Sequence, residues 1–324
     1  MKKVLVTLMV LLMTLVGCGK NEEMTKKLKL AHALTESHPV HLAMVEFAKE
    51  VNEKTNGKIE VLIFPNGQLG GEREITELMQ AGAIDIIKIN AGPMESFAQE
   101  YSVLSLPYLF RDIHHNLRVL KSDIGESILN ATIDRGFIGL TYYNSGTRNM
   151  YTKKPVKKVE DLKGKKIRVQ TSKTMVKMTE LLGGSPSPLS FGEIYTALQQ
   201  GVVDGAENNL ISYSESKHYE VAPYFTFDEH SISPDVMIMN IKTWNKLTDE
   251  EKKIVKEAAL NSFDYQNKIW FEAEDKLVDE LKEKGVQFFE VDKTEFVQRV
   301  QPLYEEIMKD SLMKEYIEKI RNFK

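Results

Sequence analysis

The sequence predicts an α/β protein of two lobes that enclose a cleft. Two separate sets of alternating strands and helices carry this prediction, one before and one after residue 145. The chain also has 324 residues, more than one hydrophobic core usually organises. A third observation is an amphipathic helical pattern near the C-terminus that is longer than a single lobe needs.

The first set alternates strand, helix, strand, helix, strand. The predicted bounds are 29–34, 39–55, 59–64, 72–81 and 84–89. Such alternation is typical of a parallel sheet with helices on both faces. We expect residues 28–145, together with about 234–273, to form the first lobe.

The second set follows a strand at 137–143 and repeats the alternation. Its predicted bounds are 166–170, 173–182, 186–189, 191–200 and 202–207. We expect residues 146–233, with about 274–324, to form the second lobe. Ligands of such folds usually bind where the strands end.

The helical pattern near the C-terminus runs unbroken over 249–284. Thr248 and Glu251 have the spacing of a capping box at its start, and the length corresponds to ~54 Å at the standard rise per residue. One helix of this length would run along both lobes. The alternative is two helices with a kink near 261–267.

The N-terminus has the pattern of an export signal. Two lysines precede an apolar run at 4–16, which is too short for a bilayer crossing of ~20 residues. Cys18, the only cysteine of the chain, follows the predicted cut, as in the lipobox of bacterial lipoproteins. We therefore expect residues 1–17 to be a signal peptide, Cys18 to carry a lipid anchor, and residues 18–27 to be a tether. The alternative is an ordinary signal peptide with a chance cysteine.

Composition and motifs argue against several classes of function. The chain has 43 basic and 47 acidic residues, and its lysine-rich stretch lacks the interleaved aromatic residues of a nucleic-acid surface. We therefore expect no binding of nucleic acid.

The sequence has no nucleophile elbow, zinc-protease motif or phosphate-binding glycine loop, so we expect no enzyme. The acid pair Glu72 and Glu74 leaves a glycosidase as a minor alternative. His38 and His41 have no third ligand at metal-binding spacing, so we expect no metal or other cofactor.

Arg168 is the principal candidate for ligand binding. It lies between Ile167 and Val169 in a short strand, so its guanidinium is expected to be partly buried. A buried guanidinium needs an anion, and its planar fork suits a carboxylate. The residues alone therefore favour binding of an organic acid.

The motifs along the chain resemble those of the DctP family, the extracytoplasmic substrate-binding subunits of TRAP (tripartite ATP-independent periplasmic) transporters. The matching segments are His38-Pro39, 54–59, 68–72, 81–85, Leu106-Pro107-Tyr108, Gly146-Thr147-Arg148, 162–169, 191–208 and 218–221. The resemblance covers almost all of the chain after the signal peptide. It implies a two-lobed fold like that of the periplasmic binding proteins, with hinge strands between the lobes and a long helix spanning both. It also implies a TRAP membrane permease as partner, and we expect a monomer; a ligand receptor for a sensor protein is the alternative.

The resemblance implies roles for individual residues. Arg168 would form a two-pronged salt bridge with the ligand carboxylate, and Arg148 and Asn208 would assist it, since two guanidiniums and an amide can saturate a carboxylate. Phe191 would pack against the ligand or, equally, in the core.

Four further residues are weaker candidates: His38, Glu72, Asn90 and Asp235. His38 precedes a proline at a helix start, so it caps that helix either with its ring toward the cleft or at the surface. Glu72 begins a helix, where the helix dipole favours a carboxylate whether or not it binds a ligand. The alternative is that Glu72 accepts a hydrogen bond from a sugar hydroxyl. Asp235 is expected to accept such a hydrogen bond as well. Asn90 is expected at the cleft end of a strand.

The resemblance is greatest to relatives that bind hexuronates and related sugar acids. The segments that carry it are Glu207-Asn208-Asn209, Tyr213, His218-Tyr219-Glu220, Glu229-His230 and Pro234-Asp235-Val236. A C4-dicarboxylate such as succinate, malate or fumarate is the alternative, but the cleft candidates include no clear second cationic or amide patch. Sialic acid is disfavoured, because at Asn90 and around Ala33 the chain lacks the polar and charged residues of sialic-acid-binding relatives. Pro93 also stands where those relatives carry an arginine.

Overall fold

The computed structural model describes residues 25–324. The predicted signal peptide, Cys18 and most of the predicted tether lie outside these residues. Among the described residues, no helix combines the length and the apolarity that a membrane crossing requires.

The described chain forms strands and helices in alternation. The strands are β1 (Lys26–Ala31), β2 (Ile59–Phe64), β3 (Ile86–Asn90), β4 (Phe137–Tyr143), β5 (Arg148–Thr152), β6 (Lys166–Val169), β7 (Ser185–Pro188), β8 (Gly205–Asn208), β9 (Tyr224–Ser231), β10 (Asp235–Asn240) and β11 (Gln287–Glu290). The α-helices are α1 (Pro39–Lys54), α2 (Glu72–Gln80), α3 (Ala91–Met94), α4 (Ile113–Leu120), α5 (Asp123–Asn130), α6 (Lys173–Leu181), α7 (Ile194–Gln199), α8 (Leu210–Glu215), α9 (Ile241–Trp244), α10 (Asp249–Glu274), α11 (Leu277–Glu283), α12 (Thr294–Arg299), α13 (Gln301–Ile307) and α14 (Ser311–Asn322).

The strands form two sheets, with the orders β2-β1-β3-β10-β4 and β11-β9-β5-β8-β6-β7. In the first sheet β1 is parallel to β2 and β3, as the alternation predicts, but β10 lies antiparallel between β3 and β4. The sheet is therefore mixed, not purely parallel. The reason is that β10 returns from the second lobe and does not follow a helical crossover within the first.

The first strand corrects the predicted tether. β1 begins at Lys26, inside the range 18–27, and Lys26 pairs with Ile59 of β2. The Lys26 ammonium also donates to the Glu251 carboxylate at 2.6 and 2.7 Å. The ion pair with Glu251 balances the charge of Lys26 at the start of this strand. A prediction from apolar spacing alone misses a strand that begins with charged residues.

The two C-terminal helices correct the predicted lobe boundaries. Tyr304 of α13 and Ile317 and Ile320 of α14 lie in the same core cluster as Ile87 of the first sheet. The Tyr304 hydroxyl donates to the Pro107 carbonyl oxygen at 2.7 Å. Residues after about 300 therefore pack on the first lobe, whereas the prediction placed all of 274–324 in the second. An amphipathic pattern shows that a helix buries one face, but not which lobe covers it.

The pattern over 249–284 forms two helices. The capping box of Thr248 and Glu251 is present, but α10 ends at Glu274 and α11 begins at Leu277, so the break is not at 261–267 either. Buried residues of α10 pack in a core cluster of the first lobe, while Leu281 of α11 packs in the core of the second. The helix pair thus runs along both lobes and breaks where it passes from one to the other.

Candidate ligand-binding site

A small, mostly polar cleft between the two sheets is lined by residues of both lobes. Seven of the eight predicted ligand-binding residues line it, namely Arg168, Arg148, Asn208, Phe191, Glu72, Asn90 and Asp235. The arginines and Asn208 belong to the second lobe, and Glu72, Asn90 and Asp235 to the first. The cleft therefore has a cationic wall and an acidic wall that face each other.

Arg168 is buried on β6, at 3% exposure. Its Nε and Nη2 donate to the Leu189 carbonyl oxygen at 2.9 and 2.7 Å. Its Nη1 is buried without a hydrogen-bond partner among the described residues and lies 3.9 Å from Oε1 of Glu207. The Leu189 carbonyl oxygen thus holds the guanidinium in place, while Nη1 is left without an acceptor. Because buried polar groups are normally hydrogen-bonded, this donor indicates an acceptor from a ligand. A ligand carboxylate supplies one.

Arg148, by contrast, is bound within the protein. Its Nε donates to Glu207 Oε2 at 2.5 Å, its Nη2 to the Glu207 carbonyl oxygen at 3.1 Å, and its Nη1 to Asn208 Oδ1 at 3.2 Å. Glu207 is fully buried, so the charge of Arg148 is neutralised locally. Arg168 therefore carries the uncompensated positive charge of this wall.

The network beneath Arg148 continues to residues that the prediction missed. His230 Nδ1 lies 2.9 Å from Asp228 Oδ2, and its Nε2 lies 3.5 Å from Glu207 Oε2. Burial opposes the charge of both groups, yet Arg148 lowers the pKa of Glu207 to about 2, and Asp228 and Glu207 raise the pKa of His230 to about 9. Arg148, Glu207, His230 and Asp228 thus alternate in charge at neutral pH, which makes their common burial tolerable.

The acidic wall contains one more residue that the predicted site did not include. The Lys88 ammonium on β3 lies 2.9 Å from Glu72 Oε1 and 3.1 Å from Asp235 Oδ1. The Asn90 amide nitrogen Nδ2 donates to Asp235 Oδ1 at 2.9 Å, and its backbone N–H donates to Glu72 Oε1 at 3.1 Å. In the sequence, the only sign that Lys88 is unusual is its position inside the apolar run Ile86–Ile89.

His38 lies behind the cleft and does not line it. Its Nδ1 accepts from the Val40 backbone N–H at 3.2 Å, which confirms the helix-capping role. The surface alternative is wrong, because the ring is buried and its Nε2 lies 3.2 Å from the Ser212 hydroxyl, which lines the cleft. Burial, aided by repulsion from Lys88, lowers the pKa of His38 to about 3, so the ring is neutral.

Phe191 fits both of its predicted roles. It lines the cleft, and it also packs against core residues, with its ring 5.9 Å from that of His218. Its contact with a ligand stays a prediction.

Two lobes and, between them, a cleft with an unsatisfied guanidinium are the arrangement expected of a protein that encloses a small anion. The sequence matches the bacterial extracellular solute-binding proteins of family 7 (DctP) over residues 30–311, and the chain belongs to this family. It is a solute-binding protein of the TRAP type and not an enzyme. Its family is extracytoplasmic.

Relatives and solved structures agree with this assignment. The YiiZ protein of Salmonella typhimurium is 45% identical over 281 residues, which cover 86% of each chain. A TRAP periplasmic solute-binding protein of Xanthobacter autotrophicus, solved with bound β-D-galacturonate, has a TM-score of 0.90 at 38% identity over 92% of this chain and 100% of that one. Its counterpart from Anaerococcus prevotii, with bound α/β-D-glucuronate, has a TM-score of 0.90 at 36% identity over 92% and 98% of the two chains. The predicted fold class and family are thereby confirmed.

Proposed function

We propose that this protein captures a hexuronate or a related sugar acid and delivers it to the membrane subunits of a TRAP permease. The observation that carries the proposal is the opposition of the two cleft walls. The unsatisfied Nη1 of Arg168 suits a carboxylate, and Glu72 and Asp235 offer acceptors to hydroxyl groups on the other side. The hexuronates bound by two of the solved relatives support the same ligand class.

The ligand carboxylate would bind Arg168 directly, with Arg148 and Asn208 beside it. Because Arg148 already has Glu207 as its counterion, its role is to extend the row of donors, and Arg168 supplies the net charge. The sugar ring would lie across the cleft, where Phe191 provides an apolar contact. Enclosure between the lobes removes water and so strengthens the ion pair.

A C4-dicarboxylate fits this arrangement less well. Its second carboxylate would meet Glu72 and Asp235, and like charges brought together without water are unfavourable. Lys88 is the only cationic residue among those that line this wall, and both acids already contact its ammonium.

We propose further that a diacylglyceryl group on Cys18 attaches the exported protein to the membrane. The support comes from the lipobox-like placement of this cysteine after an apolar signal segment. In the sequence, Cys18 precedes β1, the first strand of the first lobe, so the proposed anchor lies before the residues that line the cleft.

Isothermal titration calorimetry against a ligand panel tests the proposed ligand class. The panel contains D-galacturonate, D-glucuronate, succinate, malate, N-acetylneuraminate and the neutral sugar D-galactose. We expect the two hexuronates to bind most tightly and galactose not to bind, since it lacks the carboxylate. Tighter binding of succinate or malate would overturn the proposal.

A further inference from the structure

The acidic wall of the cleft is built around a buried cation. The side chain of Lys88 is 4% exposed, and its ammonium contacts one oxygen each of Glu72 and Asp235. Burial by itself would lower the pKa of Lys88, but Asp235 and Glu72 raise it, so the ammonium stays charged. Burial raises the pKa of Asp235, although the neighbouring Lys88 opposes this shift. With Glu72 and Asp235 both ionised, the wall has a net charge of −1.

The two carboxylates turn their bound oxygens toward Lys88 and keep the others free. Glu72 Oε1 and Asp235 Oδ1 receive the hydrogen bonds from Lys88 and Asn90. The remaining oxygens, Glu72 Oε2 and Asp235 Oδ2, have no hydrogen-bond partner among the described residues. Both acids line the cleft, so each presents an unused acceptor on a side chain that Lys88 holds in place.

We propose that Lys88 determines ligand class, as a positioning residue that fixes Glu72 and Asp235 as acceptors for hydroxyl groups and is itself covered by them. This inference rests on the proposed function and deepens it. While both acids cover the ammonium, a second ligand carboxylate meets negative charge. Without the two negative charges, the same lysine would offer that carboxylate a cation.

The Glu72→Gln/Asp235→Asn double variant separates these effects. It keeps the size of both side chains and removes both negative charges of the wall, which leaves a ligand carboxylate as the partner that can keep the Lys88 ammonium charged. We expect the affinity for D-galacturonate to fall about tenfold or more, because charged acceptors are replaced by weaker ones. We expect the affinity for succinate to rise by about the same factor, because its second carboxylate no longer meets two negative charges and can itself serve as the counterion of Lys88.

Adding Lys88→Met to the double variant should abolish the gain for succinate without restoring D-galacturonate binding. Calorimetry with both ligands gives the selectivity ratio, which a merely structural role of Lys88 would not invert. Glu77→Gln is the matched control, because Glu77 is exposed on the same helix and pairs with Arg73; both affinities should stay unchanged. Circular dichroism establishes that each variant is folded.

The outcomes distinguish the two proposals. If the wild-type protein prefers D-galacturonate but the folded double variant gains nothing for succinate, the role of Lys88 is wrong and the proposed function stands. If the wild-type protein itself prefers succinate, the proposed function fails, and the covering of Lys88 fails with it. Should the triple variant not fold, the double variant alone still decides, since the gain for succinate is its own readout.

Discussion

Arg148 and Glu207 form an ion pair beneath the cleft, with 2.5 Å between Nε and Oε2 and side-chain exposures of 2% and 0%. They lie on neighbouring strands, β5 and β8. The pair fixes the division of labour between the two arginines of the cleft. Arg148 is neutralised inside the protein, whereas Arg168 keeps an unsatisfied donor.

The Arg148–Glu207 pair predicts a large stability effect. In Glu207→Gln, Arg148 and His230 lose their shared counterion in a buried site, and removing one partner of such a pair typically costs about 3–5 kcal/mol. We expect the free energy of unfolding, measured by urea titration, to fall by that order. The control is Glu315→Gln, which removes an exposed partner of Lys319 at 2.6 Å and should not change stability measurably. An equally stable Glu207→Gln protein would contradict the network described for this site.

His230 predicts a loss of stability at alkaline pH. Although burial lowers its pKa, Asp228 and Glu207 raise it to about 9, above the ordinary value of about 6.5. Its contribution is therefore fully present below about pH 6.5 and is lost as the pH rises through about 9. Urea titrations at about pH 7 and pH 10 should show a larger loss for the wild-type protein than for His230→Gln. Parallel losses in the two proteins would mean that other groups cause the pH dependence.

Arg168 predicts a loss of affinity. Arg168→Ala should weaken hexuronate binding by about 2–5 kcal/mol, because the ligand carboxylate loses its buried partner. Arg168→Lys should restore only part of it, since a point charge cannot reproduce the planar fork. Calorimetry measures both, with Lys166→Ala, an exposed change on the same strand, as the unaffected control. Unchanged affinity in a folded Arg168→Ala protein would refute the site.

Local patterns sufficed for much of this molecule. The alternation of elements follows from apolar spacing and turn residues, and the caps at His38 and Thr248 follow from single side chains next to helix starts. Arg168 was identifiable because a guanidinium inside an apolar strand is unusual wherever the strand lies. Each of these signals is contained within a few neighbouring residues.

The features that the sequence did not reveal depend on distant partners. Lys88 is 147 positions before Asp235 in the chain and is explicable only once β3 and β10 are neighbours. Glu207 and His230 likewise acquire their charges from each other and from Arg148. The antiparallel β10 has the same origin, because its direction is set by the return of the chain from the second lobe.

Glu95 predicts an effect on lobe closure. It lies at the end of α3 in the first lobe, and its carboxylate accepts from the Thr174 backbone N–H at 3.2 Å and from the Thr174 hydroxyl at 2.7 Å, at the start of α6 in the second lobe. This contact exists only while the lobes are together. Glu95→Gln should therefore weaken ligand binding, by about tenfold if a charge-assisted hydrogen bond is lost.

Calorimetry and small-angle X-ray scattering together test this effect. The wild-type radius of gyration should fall on addition of ligand, and the ligand-free Glu95→Gln protein should be more open than the wild type. Glu180→Gln, an exposed change on the same α6 helix, serves as the control. Wild-type scattering curves that are identical with and without saturating ligand would indicate a rigid, preformed cleft.

Cys18 predicts how the protein is held at the membrane. One acyl chain gives only marginal and reversible binding, so stable attachment requires the two chains of a diacylglyceryl group. Since Cys18 is the only cysteine, Cys18→Ser removes the only thiol to which this group could be joined. The variant should move from the membrane fraction to the soluble fraction and keep full hexuronate affinity, because the tether precedes the β1 strand that begins the first lobe. Asn21→Ser, in the same predicted tether, should fractionate as the wild type does. A processed Cys18→Ser protein that stays with the membrane would show that another anchor or a partner holds it, whereas a soluble protein with weakened binding would show that the N-terminal residues contribute to the cleft.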